Sequence, residues 1–219
     1  MRRKLFCSLY FIFVFMSSLN AQSIFTPDLK TALNGNSWKG KFISVELTKK
    51  DSSDAVIITK TDADQLMWLD NYNFANGTIE FDAKGKSGPP QSSFVGIAFR
   101  VVDEKTYDAI YFRPFNFRSP NPVNKSHAVQ YMSHPDWTWK RLRDEHAGEY
   151  EKGIVPEPNG DEWFHAKIVI QKPEIKVYVN GADDPSLVVK ELSDRKGGSV
   201  GLWCNGFGII ANLKIKQQK

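Results

Sequence analysis

Cysteine is nearly absent from this chain. Only Cys7 and Cys204 occur in 219 residues, and Cys7 lies in an N-terminal stretch that has the marks of a leader. One remaining thiol makes no internal disulfide, so the chain must rely on an apolar core. Its length is ample for one. Cys204 follows Trp203 in a strand-like run and reads as a small buried apolar residue rather than a nucleophile. Long helix-period segments are missing beyond the leader, which excludes helix bundles and parallel sheets with crossover helices. Metal-ligand spacing of the His-x-x-x-His kind is missing, and Asp183-Asp184 reads as a turn, so no metal site and no cofactor is expected. A structural calcium held by loop carbonyls would leave no mark in a sequence. No phosphate-cradling glycine motif is present.

Excess charge is also lacking once the leader is set aside. Arg2, Arg3 and Lys4 precede an apolar run from Leu5 to Met16, broken only by Ser8, and the small or polar residues Ser17 to Ala21 follow. This is the three-part pattern of a secretory signal peptide, residues 1–21. The run is shorter than the roughly 20 residues of a membrane span. Cleavage after Ala21 lowers the basic count from 29 to 26 against 25 acidic residues, so the formal charge falls from +4 to +1. A nearly neutral chain gives no electrostatic case for nucleic acid or an anionic membrane. The expectation is a secreted or periplasmic protein, residues 22–219, in one domain.

What the sequence has is period-two alternation in short runs bounded by Gly, Pro, Asn and Asp. The runs are 42–48, 55–59, 66–69, 77–83, 94–102, 107–113, 126–132, 163–171, 175–180, 186–190, 199–204 and 209–216. Many short strands without crossover helices predict antiparallel sheets packed face to face, an all-β sandwich. Val177 to Gly181 is a strand running into an Asn-Gly turn, with Leu187 to Val189 as its expected partner. Alternation fails across 114–122 and in a long irregular insertion at about 133–160, where Arg141 to Tyr150 reads as a short helix or a loop. A connection of that length is usually functional or has structure of its own.

Several of these runs resemble one family. Gly96-Ile97-Ala98-Phe99-Arg100, Asp103 to Tyr107, and Ala109-Ile110-Tyr111-Phe112-Arg113-Pro114 are similar to the core of the 3-keto-disaccharide hydrolases. Trp163 to Ile168, Val177 to Gly181, Gly198 to Trp203 and Ala211 to Ile215 fit the same pattern. The resemblance covers roughly residues 36–216. It implies a jelly-roll sandwich of the concanavalin A-like lectin/glucanase type, with sugars bound on a concave sheet and its rim loops. It also implies cleavage of the glycosidic bond of a sugar oxidised at carbon 3, by base-initiated elimination. Glu80 and Asp82 share a strand face and resemble the start of the Glu-x-Asp-x-x-Glu signature of laminarinase-like glycosidases. Gly85 stands where the last acid belongs, so the paired carboxylates of an ordinary glycosidase are incomplete.

Such an elimination needs a near-neutral base and a cation or donor for the developing oxyanion. The candidate bases are His127, which opens the 126–132 run on the face of Val129 and Tyr131, and His134, at the mouth of the insertion. His165 alternates into the surface of a later strand. Tyr111 and Arg113 are two apart and share a sheet face, and Arg113 supplies the guanidinium. Arg100, Asn116, Arg118, Gln130 and Tyr131 are candidate partners for sugar hydroxyls, with Trp137 and Trp139 as a stacking platform. Covering ~100 Å² of a sugar's apolar face contributes about 2–3 kcal/mol. Asp144, Glu145, Glu149 and Glu151 read as a solvated loop face. Two other functions fit the same composition: a carbohydrate-binding module without catalysis, and a structural domain of a secreted assembly.

Overall fold

The computed structural model describes residues 23–40, 44–59, 63–90 and 92–218. The signal-peptide reading lies outside these residues. Fifteen strands are described: β1 (Ile24–Phe25), β2 (Trp38–Gly40), β3 (Ser44–Lys50), β4 (Ser53–Thr59), β5 (Gln65–Leu69), β6 (Gly77–Lys84), β7 (Ser93–Asp103), β8 (Thr106–Phe112), β9 (Val129–His134), β10 (Glu151–Lys152), β11 (Phe164–Gln171), β12 (Glu174–Val179), β13 (Leu187–Lys190), β14 (Ser199–Gly206) and β15 (Gly208–Gln217). Two short helices, α1 (Pro122–Lys125) and α2 (Trp139–Glu145), lie in the irregular segments.

The strands form two antiparallel sheets. One runs β13-β12-β11-β6-β15-β4-β3, with β1 paired to β15; the other runs β10-β9-β8-β7-β14-β5-β2. This is the all-β sandwich that alternation predicts, of the jelly-roll type that the resemblance implies. Each expected run from 42–48 to 209–216 contains a strand over its described residues, with ends shifted by up to a few residues; residues 42 and 43 lie outside the described residues. The Asn-Gly turn behaves as read: Asn180 and Gly181 take φ of 51° and 71°, and β12 pairs with β13 through Val177 and Leu187.

The inward residues of both sheets meet in one core. Ile79, Phe81 and Ala83 of β6 and Phe164, Ala166 and Ile168 of β11 are fully buried, as are Val95, Ile97, Ile110 and Phe112 of the facing sheet. Phe112 packs edge-on against Phe164 at 5.0 Å and against Phe81 at 6.3 Å between ring centres. Each such side chain contributes about 1.5–3 kcal/mol on burial. Cys204 is wholly buried, and burial pushes its thiol pKa up.

A polar cluster closes one end of this core. Arg100 leaves the β7 ladder at a bulge with φ of 49°. It turns inward, pairs with Glu191 and donates to the Ala75 carbonyl at 2.8 Å. Beside it Asp108 accepts from Tyr131 at 2.7 Å and Ser193 at 2.8 Å, and lies 3.1 Å from Arg195. Arg100 and Tyr131 are therefore structural, which corrects their reading as sugar contacts. The bulge turns Arg100 inward, and the alternation of β9 turns Tyr131 inward beside Ile110.

Candidate functional site

Strand alternation sets the floor of a cleft on the outer face of the seven-stranded sheet. On β8, Asp108, Ile110 and Phe112 point into the core, so Tyr107, Ala109 and Tyr111 point out. Gly96 of β7 lies opposite Tyr111 on one side and Trp203 of β14 on the other. With no side chain at 96, the Tyr111 and Trp203 rings approach to 4.8 Å across it. A Cβ there would lie 2.6 Å from the Tyr111 Cα and run into the Ile110 carbonyl.

The cleft holds about 410 Å³ and is lined by Asp64, Phe94, Tyr111, Arg113, Phe115, Asn116, Asn124, His127, Trp139, Arg143, Trp203 and Asn205. Aromatic and polar side chains both line it, as expected of a site for an amphipathic ligand. Arg113 follows the end of β8 and is nearly buried. It donates to the Tyr111 hydroxyl at 2.5 Å and to the His127 carbonyl at 2.9 Å, and also hydrogen-bonds Gln130. Tyr111 in turn donates to the Gln130 Oε1 at 2.8 Å. Gln130 is thus a fully buried support beneath the wall rather than a ligand contact.

Behind this wall sits Glu151, only 2 % exposed. Arg143 grips it with both branches of its fork, Nε to Oε1 at 2.9 Å and Nη2 to Oε2 at 2.7 Å. Arg113 Nη1 is 3.5 Å from the same carboxylate, and His127 Nδ1 is 2.8 Å from it. Burial lowers the His127 pKa below the ordinary 6.5, Glu151 raises it, and the nearby Arg143 and Arg113 lower it further; the net direction is down. His127 Nδ1 is buried and faces the carboxylate at 2.8 Å outside hydrogen-bond geometry, and Nε2 is the imidazole's other nitrogen. Burial also lowers the Arg113 pKa, and the hydrogen bonds to Glu151 raise that of Arg143.

Of the residues singled out in the sequence, the structure brings Tyr111, Arg113, Asn116, His127 and Trp139 to this cleft. His127 arrives there differently from the expectation. Residues 126–128 belong to the turn after α1, β9 begins at Val129, and the alternation expected to link His127 with Tyr131 does not exist. His134 lies one ring back from the wall, stacked on Tyr107 at 4.9 Å with Nε2 3.9 Å from Asp64. Trp137 is held elsewhere, between Arg141 at 4.1 Å and the edge of His146 at 5.5 Å. The two tryptophans therefore do not form one platform. Arg118 is exposed and donates to the Glu157 carbonyl at 3.2 Å, away from the cleft. Glu80 and Asp82 lie on the outer face of the other sheet, where Asp82 meets His165 at 2.8 Å.

Sequence reasoning missed Glu151, Arg143, Phe94, Trp203 and Asp64. Glu151 corrects its reading as part of a solvated face: the short strand β10 adds it to the sheet edge beside Gln130, under the arginines. Nothing in the local sequence separates it from Glu149, which is exposed. Phe94 and Trp203 were legible only as strand residues. Among the described residues no group of histidine, cysteine and carboxylate side chains is arranged to hold a metal ion. No helix among them is long and apolar enough to cross a membrane.

No protein-family model matches the chain, and no curated protein matches its sequence. Solved structures do match its fold. The carbohydrate-binding module CBM66 from Bacillus subtilis superposes with a TM-score of 0.55 at 14% identity, over 82% of this chain and 96% of that one. A Bacillus subtilis protein of unknown function with a galectin-like fold gives 0.56 at 12% identity, over 88% and 94%. The β-glucanase of Bacillus licheniformis gives 0.52 at 10% identity, over 83% and 92%. The fold is of the concanavalin A-like lectin/glucanase type, and at these identities the likeness is one of fold.

Proposed function

We propose that this is an extracytoplasmic glycan-active protein that breaks a glycosidic bond in the cleft by general-base elimination. The observation that carries the reading is the pairing of His127 Nδ1 with buried Glu151, 2.8 Å apart, beside the Arg113 guanidinium in one aromatic-lined cleft. The sandwich neighbours named as a carbohydrate-binding module and a β-glucanase support a glycan as the ligand.

The chemistry follows from those groups. A sugar ketone at carbon 3, the substrate that the family resemblance implies, acidifies the C–H at carbon 2. His127 Nε2 removes that proton, and the electron pair moves toward the ketone oxygen. Arg113 stabilises the resulting oxyanion. The pair then returns, the bond from carbon 1 to the leaving oxygen breaks, and the leaving oxygen takes up a proton. Glu151 faces the imidazole Nδ1 and favours the imidazolium that forms, while Arg143 holds Glu151.

His127→Ala should lower turnover of a 3-keto glycoside by about 10²–10⁴-fold while sugar binding persists. His134→Ala, one ring removed from the wall, should change it far less. Because the His127 pKa lies below 6.5, the rate should reach its plateau at a lower pH than a free imidazole would give. Unchanged turnover in His127→Ala refutes the base assignment. The second reading is a binding module without catalysis, favoured by the exposed aromatic ring of Trp139 at the cleft. It predicts saturable binding of an oligosaccharide and no product.

A further inference from the structure

The charge on the wall of the cleft is unbalanced. Two guanidinium groups, Arg113 and Arg143, converge on one carboxylate, Glu151. His127, with its lowered pKa, adds no charge near neutral pH. Arg143 gives Nε and Nη2 to Glu151, and no described residue takes its Nη1. The side chain is 32% exposed and its guanidinium lies over the Trp139 ring at 5.3 Å. A donor with spare N–H groups thus stands at the wall of the cleft beside an aromatic face.

Each of the other carboxylates nearby has a hydrogen-bonding partner of its own. Asp144 is engaged by Lys140 at 2.5 Å on the exposed side of α2. Asp64 lines the β14–β5 side of the cleft, where Asn205 donates to it at 2.9 Å. The wall beside α2 therefore carries two guanidinium groups against one buried carboxylate, with a free Nη1 on Arg143.

We infer that the glycan this cleft prefers carries a carboxylate, a uronic-acid type of sugar, and that the carboxylate seats on the free Nη1 of Arg143 with the ring beside Trp139. A planar guanidinium suits a carboxylate better than a hydroxyl does. The inference rests on the cleft being a glycan site and adds the chemical class of the sugar.

The test compares a neutral oligosaccharide with its uronate counterpart of the same linkage, titrated against the full-length protein at low and high salt. The uronate should bind about tenfold tighter at low salt, equivalent to ~1.4 kcal/mol, and the preference should shrink as salt is added. Arg143→Gln should abolish the preference, read as the ratio of the two sugars' affinities in the variant. Equal or tighter binding of the neutral sugar overturns the inference and leaves the glycan reading standing. Failure of both sugars to bind overturns both. A uronate preference that survives in Arg143→Gln, or that ignores salt, overturns the assigned seat. If Arg143→Gln does not fold, the salt titration of the unaltered protein decides the matter.

Discussion

At position 96 the absence of a side chain shapes the cleft floor. The neighbours that a Cβ would strike there are backbone atoms of the paired strand β8, so no rotamer change can relieve the clash. Gly96→Ala is expected to lower stability by about 1–3 kcal/mol and to push apart the Tyr111 and Trp203 rings. A denaturation midpoint and the tryptophan fluorescence spectrum would show both. Arg100 makes the complementary point about charge. It is 1% exposed and its partner Glu191 is buried with it. Glu191→Ala leaves a guanidinium buried without its counter-charge and should cost about 3–5 kcal/mol, read as a fall in the urea midpoint. A mere surface pair would move that midpoint very little.

Among the elements, α2 carries two cleft residues, Trp139 and Arg143, one turn apart on the same face. Thr138 caps it, its hydroxyl accepting from the Arg141 amide at 3.3 Å. A seven-residue helix has little stability of its own, so its place depends on the cap and on the Arg143–Glu151 fork. Thr138→Ala should lower stability by about 1 kcal/mol and weaken ligand binding more than it changes the fold, a split visible by comparing melting with titration. The strand β10 works in the same way from the other side: two residues of pairing with β9 are enough to bury Glu151. The insertion that looks irregular in sequence is thus a helix and a strand that close one wall of the site.

At the scale of the whole molecule, the two sheets have different outer faces. The seven-stranded sheet carries the cleft; the eight-stranded sheet carries a charge cluster of Asp82, His165, Glu80 and Lys50, to which Asn212 adds a neutral amide donor. Burial alone would raise the Asp82 pKa, but hydrogen bonds from His165, Asn212 and Lys50 outweigh it and bring it down to about 2. The hydrogen bond to Asp82 raises the His165 pKa against its burial. The depressed carboxyl contributes stability above its unfolded pKa, and that contribution is lost as pH falls toward 2. The raised imidazole contributes below 6.5, and its contribution is lost as pH rises through its folded value. The melting-temperature difference between the protein and His165→Gln should therefore be largest between about pH 4 and 6.5. His165 is 41% exposed, so solvent screening holds the effect to about 1 kcal/mol or less.

The sequence by itself determined the sandwich, because period-two alternation is a local property that each strand displays on its own. It likewise determined that Cys204 is buried, because a cysteine beside Trp203 in an apolar strand packs as a small hydrophobic residue. Tertiary structure alone decided which face became the cleft and which polar groups meet there. Arg100 and Arg113 look equivalent as arginines at strand ends, yet a bulge turns one into the core while the other lines the wall. Glu151 and Glu149 look equivalent in a charged loop, yet pairing at the sheet edge buries one beneath two guanidinium groups. Those outcomes depend on contacts between residues far apart in the chain, such as Arg113 with Glu151 and Tyr111 with Trp203, and no local pattern encodes which distant partner a side chain will find.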